Sequence, residues 1–250
     1  MLVMYIFYTT SLLYNTYIDF NFKGEEHYLA HIGLIHVVCY AISFPLAGIM
    51  FHKGYSKRLI LSIGFLCYAF SLIYFCHIIQ TDLSYWDLVL PLMLESIAYG
   101  FILTTAAAFM ATNIPRKHNK DRVMGSITAR YVLGTFIGYS FYSNWLFRGV
   151  VRNSAHLAEN LTVSNLPFTS ELKKLTSGFA YKGADMQLAH QRALAVLQEK
   201  VHIQATLITI RDISFTVGIL AIIVAIIVLF VKRFEMHKII SKNKYRIIPW

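Results

Sequence analysis

Six long apolar runs constrain this chain more than any other feature. Each run is close to the ~20 residues that a helix needs to cross ~30 Å of hydrocarbon. Lipid offers no hydrogen-bond partners to the backbone, so segments that cross it must be helical or form closed barrels. The runs lie at residues 2–17, 28–51, 59–79, 88–112, 125–147 and 213–232. We therefore predict an all-α membrane protein with six transmembrane helices, called here spans one to six.

The composition favours lipid over water as the surrounding medium. Hydrophobic residues make up 56% of the 250 residues, whereas charged residues make up 14%, against about 25% in ordinary soluble domains. The mean hydropathy is +0.52. The net charge of +10 is compatible with nucleic acid, but the charges fall in short clusters between apolar runs, as topology signals do. We therefore expect a lipid bilayer, and no nucleic acid, as a partner.

The charges in the loops predict the orientation of the bundle. Basic residues concentrate in segments 51–58, 113–124 and 232–250, whereas segments 18–27 and 80–87 are mostly acidic. Positively charged loops remain on the cytoplasmic side of a membrane. Both chain ends are therefore expected in the cytoplasm, in a multi-pass protein of the cell membrane.

A long polar segment, residues 148–212, separates spans five and six and is expected outside the cell. Its first half carries loop signals such as Pro167 and Gly183. Its second half begins at a candidate helix cap, Asp185, and continues with apolar residues at helical spacing, which predicts a long helix that runs into span six. The predicted division is spans one to five at 1–147, the external segment at 148–212, span six at 213–232 and a basic cytoplasmic tail at 233–250.

Polar side chains are distributed unevenly among the spans. Spans three and six have the fewest, and spans one, four and five have the most. A span that lines a water-filled path should carry hydroxyls, amides and rare charges. We therefore predict that spans three and six are outer helices and that the other three line a cavity. The candidate substrate contacts in this cavity are Tyr8, Asn15, Tyr99, Arg130 and Tyr139. Arg130 has an alternative interpretation, snorkelling to the lipid headgroups.

Glu95 is the most informative single residue. A carboxylate inside a span costs about 2.5 kcal/mol or more unless it is paired, hydrated or protonated. Counted from the outer ends of their spans, Glu95 and His36 both lie roughly 10–12 Å deep, so the two side chains are able to meet. The sequence predicts a proton-coupling or cation-binding site at Glu95, with His36 as its partner. The alternative is a protonated glutamate that is hydrogen-bonded between helices.

The histidines leave a second class of protein open. His27 and His31 are one helical turn apart, beside Glu25 and Glu26, and this spacing is able to bind zinc. A metal site needs further ligands that the sequence does not place, so no metal and no cofactor are expected. A membrane-embedded metalloenzyme using His27, His31 and His36 is the alternative. A second alternative is a non-transporting membrane scaffold that presents the external helical segment to a partner.

The loop between spans two and three carries a recognisable pattern. Residues 45–58, PLAGIMFHKGYSKR, keep the general form G-x-x-x-D-x-x-G-x-[RK]-x-[RK] through Gly48, Lys57 and Arg58. His52 stands where the pattern has aspartate, which weakens any charge-relay role for this loop. The stretch resembles the inner-loop motif between the second and third helices of a half in the major facilitator superfamily.

Two further stretches are similar to one branch of that superfamily, the fourteen-span drug–proton antiporters of the EmrB/QacA type. Residues 113–145 resemble the stretch around the penultimate helix and contain the pair Gly134 and Gly138. The spacing of this pair predicts close helix packing. Residues 190–215 resemble the external helix that leads into the last span.

The resemblance implies the carboxy-terminal six-helix bundle of a proton-driven carrier in a bacterial inner membrane. The implied cargo is lipophilic and often cationic, and the third and sixth helices of such a half are peripheral. An amino-terminal half and a periplasmic adaptor protein are further candidate partners beside the small-molecule substrate. Because carriers of this kind bind substrate between two bundles, the chain is expected to be a half or a fragment.

Overall fold

The described part of the chain is helical throughout, apart from short turns. The computed structural model describes residues 11–21, 26–80, 83–113, 124–125, 136–159 and 166–230. Seven helices lie within these ranges: α1 (Ser11–Asn21), α2 (Glu26–His52), α3 (Lys57–Ile78), α4 (Tyr85–Asn113), α5 (Gly138–Glu159), α6 (Leu166–Tyr181) and α7 (Met186–Phe230). The all-α prediction is confirmed for this part of the chain.

Four helices are long and apolar enough to cross a bilayer. Their apolar parts are Ala30–His52, Lys57–Ile78, Tyr85–Ala108 and Met186–Phe230, and they contain or closely match predicted spans two, three, four and six. Most of span one, at 2–17, and much of span five, at 125–147, lie outside the described residues. The count of six spans therefore stays a prediction.

A tight turn joins α2 to α3 within the inner-loop pattern. Gly54 adopts φ +82°, and the N–H of Tyr55 donates to the carbonyl of Met50 at 3.1 Å, which is the Schellman arrangement at a helix end. Ser56 then caps α3, because its hydroxyl accepts from the N–H of Leu59 at 3.2 Å. The left-handed backbone of this turn needs Gly54, which stands one position before the second glycine of the pattern, a position that Tyr55 occupies.

Within the described residues, helix α3 is the most buried of the four apolar helices, which disagrees with the prediction that span three is an outer helix. Of its apolar window 61% is buried, against 17% for that of α2, and its main neighbours are α4 and α7. Phe101 and Ile102 of α4 pack closely against Gly64, because glycine has no side chain. A Cβ added at Gly64 would lie 3.2 Å from Phe101 and 2.9 Å from Ile102. A shortage of polar residues does not distinguish the two positions, because lipid and neighbouring helices are equally apolar.

The first half of the segment 148–212 is largely helical where loop signals indicated a loop. Helix α5 continues twelve residues beyond the predicted end of span five at 147, to Glu159. It is held against α7, since Asn153 donates its Nδ2 to Thr209 Oγ1 at 3.0 Å. Pro167 lies in the first turn of α6, where its missing N–H costs nothing, and Gly183 adopts φ +88° after the end of α6. Pro167 therefore marks the start of α6, and Gly183 marks the turn that follows its end.

Helix α7 is one continuous element of 45 residues, as the sequence predicts. Its first turn begins beside the candidate cap, where the N–H of Ala189 donates to the carbonyl of Asp185 at 2.7 Å. At 1.5 Å per residue the helix is about 68 Å long. Hydrocarbon takes up ~30 Å of such a helix, so the amino-terminal part of α7 extends well beyond the bilayer.

Candidate functional site

The candidate site is built around Glu95 in α4. This side chain is 8% exposed. Among the residues that the structure describes, no hydrogen-bond donor or cation reaches its carboxylate. The buried tyrosines Tyr14 of α1 and Tyr68 of α3 are close enough to interact electrostatically with its charge. Glu95 is the only Asp or Glu within predicted spans two, three, four and six.

A chain of hydroxyl groups fixes α1 and α3 beside this carboxyl group. Ser71 Oγ donates to the carbonyl of Pro91 at 2.7 Å, so its single proton is committed. The contact of 3.0 Å between Tyr14 Oη and Ser71 Oγ is therefore donated by the tyrosine. The ring of Tyr14 also packs on Phe75, with 4.3 Å between ring centroids. These contacts tie α1 and α3 to the carbonyl of Pro91, which lies one helical turn before Glu95 in α4.

His36 binds the residue next to Glu95. Its Nδ1 lies 2.6 Å from Ser96 Oγ, and Ser96 Oγ donates to the carbonyl of Leu92 at 2.7 Å. Because the serine proton is used there, His36 Nδ1 carries the proton of its own bond. No ion pair joins His36 to Glu95 within the described residues. Successive helical residues point about 100° apart, so Ser96 faces α2 while Glu95 points in a different direction.

Aromatic side chains extend the site along the contact between α2 and α4. His36 stacks on Tyr40 with 6.0 Å between ring centroids, and Tyr40 lies 5.8 Å from Tyr99. The predicted cavity residue Tyr99 is therefore a half-buried neighbour of Tyr40. Tyr14, Tyr68 and Ser71 escaped the sequence analysis because hydroxyls in an otherwise apolar span give no signal of their own.

The remaining predicted residues are more scattered. Asn15 and Tyr139 are exposed on α1 and α5, and Gly138 is buried at the start of α5. Residues that lie outside the described ranges are Tyr8, Arg130 and Gly134. In the inner-loop motif Gly48 is exposed on α2, while Lys57 and Arg58 are half-buried in the first turn of α3. The roles predicted for all of these residues stay predictions.

The histidines of the alternative reading do not gather in the described region. His31 lies beside Tyr85, with 6.2 Å between ring centroids, whereas His36 is bound to Ser96. In the ranges that the structure describes, no three His, Cys, Asp or Glu side chains are grouped so that they could hold a metal ion. The side chain of His27 lies outside the described part.

Long apolar helices packed around a buried carboxyl group define a multi-pass membrane protein. The model of the Major Facilitator Superfamily matches residues 1–151, and the chain belongs to this family. Its members are transmembrane transporters of small molecules and generally not enzymes. The match ends within α5, so α6 and α7 lie beyond it. No curated protein and no solved structure matches the chain.

Proposed function

We propose that the chain exports lipophilic, often cationic small molecules in exchange for protons, as one bundle of a two-bundle carrier. Family membership supplies the transport. The observation that supports coupling to protons is the position of Glu95, a buried carboxyl group within an apolar span. Carriers with paired bundles bind their substrate between them, and six predicted spans make one such bundle.

The exchange follows from the energetics of a carboxyl group in a span. An ionised carboxylate at the centre of a span costs about 2.5–3.5 kcal/mol. Either a bound proton or a bound cation removes most of that cost, so the two compete for Glu95. Arrival of a cationic substrate would release the proton, and a new proton would release the substrate.

The aromatic side chains beside this group suit the proposed cargo. Tyr99 lies one helical turn after Glu95 in α4, and the ring of Tyr40 in α2 lies 5.8 Å from that of Tyr99 between centroids. Ring faces attract organic cations, and the attraction reaches about 2 kcal/mol where water is excluded. A lipophilic cation would therefore be favoured by the rings and by the carboxylate together.

The proposal is tested by dye accumulation in cells that carry the intact transporter. Ethidium, a lipophilic cation, should accumulate less in expressing cells than in vector controls, and dissipating the proton gradient with an uncoupler should remove the difference. Equal accumulation for a panel of lipophilic cations would refute export. A difference that survives the uncoupler would refute coupling to protons.

We also propose that the loop between α2 and α3 faces the cytoplasm and that α6 lies outside. Single cysteines in place of the exposed Lys53 and Lys182 report this, in a chain from which Cys39, Cys67 and Cys76 have been removed. A membrane-impermeant maleimide should label position 182 in intact cells and position 53 only after permeabilisation. Labelling of both positions in intact cells would contradict the orientation.

A further inference from the structure

An open groove lies between α6 and the first turns of α7, in the segment beyond the family match. Its volume is about 800 Å³, within the range of about 300–1,000 Å³ that small-molecule sites occupy. One face of α6 forms most of the wall, and Met186 and His190 of α7 complete it. The groove has no part in the transport mechanism proposed above.

The surface of the groove is mainly apolar, although several residues with hydroxyl groups line it. Thr176 Oγ1 donates to the carbonyl of Leu172 at 2.7 Å, and Ser177 Oγ donates to the carbonyl of Lys174 at 2.9 Å. These hydroxyls are used within their own helix. At one end, Tyr181 is 94% exposed and Met186 is 67% exposed. Large apolar side chains are thus left uncovered in a polar part of the chain.

The charge around the groove has one sign. Lys173 and His190 are the only ionisable lining groups apart from the phenol of Tyr181, and no acid lines it. The one acid on α6, Glu171, accepts from Lys200 Nζ at 2.7 Å, and this bond and its charge lower the pKa of Glu171 below its ordinary value. Lys173 has no ion pair within the described residues. Its ammonium group is available to an anion.

We propose that this groove binds an amphipathic organic anion of the long-chain carboxylate type. The carboxylate would lie between Lys173 and His190, and the hydrocarbon body would lie along α6 towards Tyr181 and Met186. His190 is 23 residues before the predicted start of span six, which is about 35 Å along α7. Lipids in the bilayer cannot span this distance, so the ligand comes from the aqueous phase. Its charge is opposite to that of the proposed cargo.

The test uses the full chain in nanodiscs of neutral lipid and a photoactivatable palmitate carrying a diazirine, with cross-links mapped by mass spectrometry. Labelling is expected within residues 169–190. Lys173→Glu should reduce it about tenfold, the size expected for loss of a charge-assisted hydrogen bond. Lys174→Glu is the matched control, since Lys174 is exposed on the same helix but does not line the groove, and it should label normally.

A second pair of variants tests the cavity instead of the charge. Ser177→Trp places an indole in the groove and should reduce labelling, whereas Lys174→Trp should not. The proposal is overturned if Lys173→Glu and Lys174→Glu label alike. It is also overturned if a probe with the same hydrocarbon tail and a quaternary ammonium head in place of the carboxylate labels the protein equally well. Two further results would overturn it. One is that anionic lipid added to the discs competes with the probe while free palmitate does not, which would indicate a headgroup site; the other is that the cross-links join two copies of the protein.

Discussion

Replacing Glu95 by glutamine is expected to abolish proton-driven transport while leaving the protein folded. Glutamine has nearly the same shape but carries no exchangeable acid proton, so competition between proton and cation is lost. The amide also avoids the cost of about 2.5 kcal/mol or more that an ionised group pays inside a span, so stability should be unchanged or higher. Efflux driven by a pH gradient, measured in proteoliposomes of the intact carrier, should fall at least tenfold, since 1.4 kcal/mol already corresponds to a factor of ten.

Asp87→Asn provides the matched control for this experiment. Asp87 is an acid in the first turn of the same helix, but it is exposed and its charge is hydrated. Its replacement should leave coupled efflux within about twofold of the unmodified carrier, because exposed charges contribute little. Normal pH-driven transport by Glu95→Gln would exclude Glu95 as the coupling group. Equal losses in both variants would point to general damage to α4.

Gly100→Val is expected to cause the largest loss of stability among single substitutions in α4. A Cβ at this position would overlap Ser43 Oγ and lie 2.6 Å from Ser43 Cβ. Ser43 is fully buried between α2 and α4, so valine must push the two helices apart. Overpacking of this kind typically costs 1–3 kcal/mol. Because α2 has few contacts with α3, separation from α4 leaves it poorly held.

Thermal unfolding in detergent measures this effect, and alkylation of Cys39 locates it. Cys39 is 2% exposed on α2, and its reaction with a maleimide should accelerate when α2 loosens. Gly48→Val is the control on α2, since no atom lies within 4 Å of an added Cβ there. Combining Gly100→Ala with Ser43→Gly should recover much of the loss that Gly100→Ala causes alone. Identical melting of the two valine variants would disprove the close contact.

Much of the site was visible in the sequence because its signals are local. A glutamate in an apolar run is conspicuous whatever surrounds it, and Glu95 proved to be buried. Depth along a helix follows from counting residues, which placed His36 at the level of Glu95, and His36 indeed contacts the next residue, Ser96. The rotation of α4 about its axis was not accessible in this way. It turns Ser96, and not Glu95, towards His36.

By itself, the sequence determined four of the apolar helices, that α7 continues unbroken from the polar segment into the last span, and that one acid lies deep in α4. These properties depend on hydropathy and spacing along the chain. The tertiary structure alone decided that α3 is largely buried, that Pro167 begins α6 and Gly183 follows its end, and that Lys173 borders a groove. Such features depend on which faces of distant helices pack together, and apolar faces look alike to a local pattern whether lipid or protein covers them.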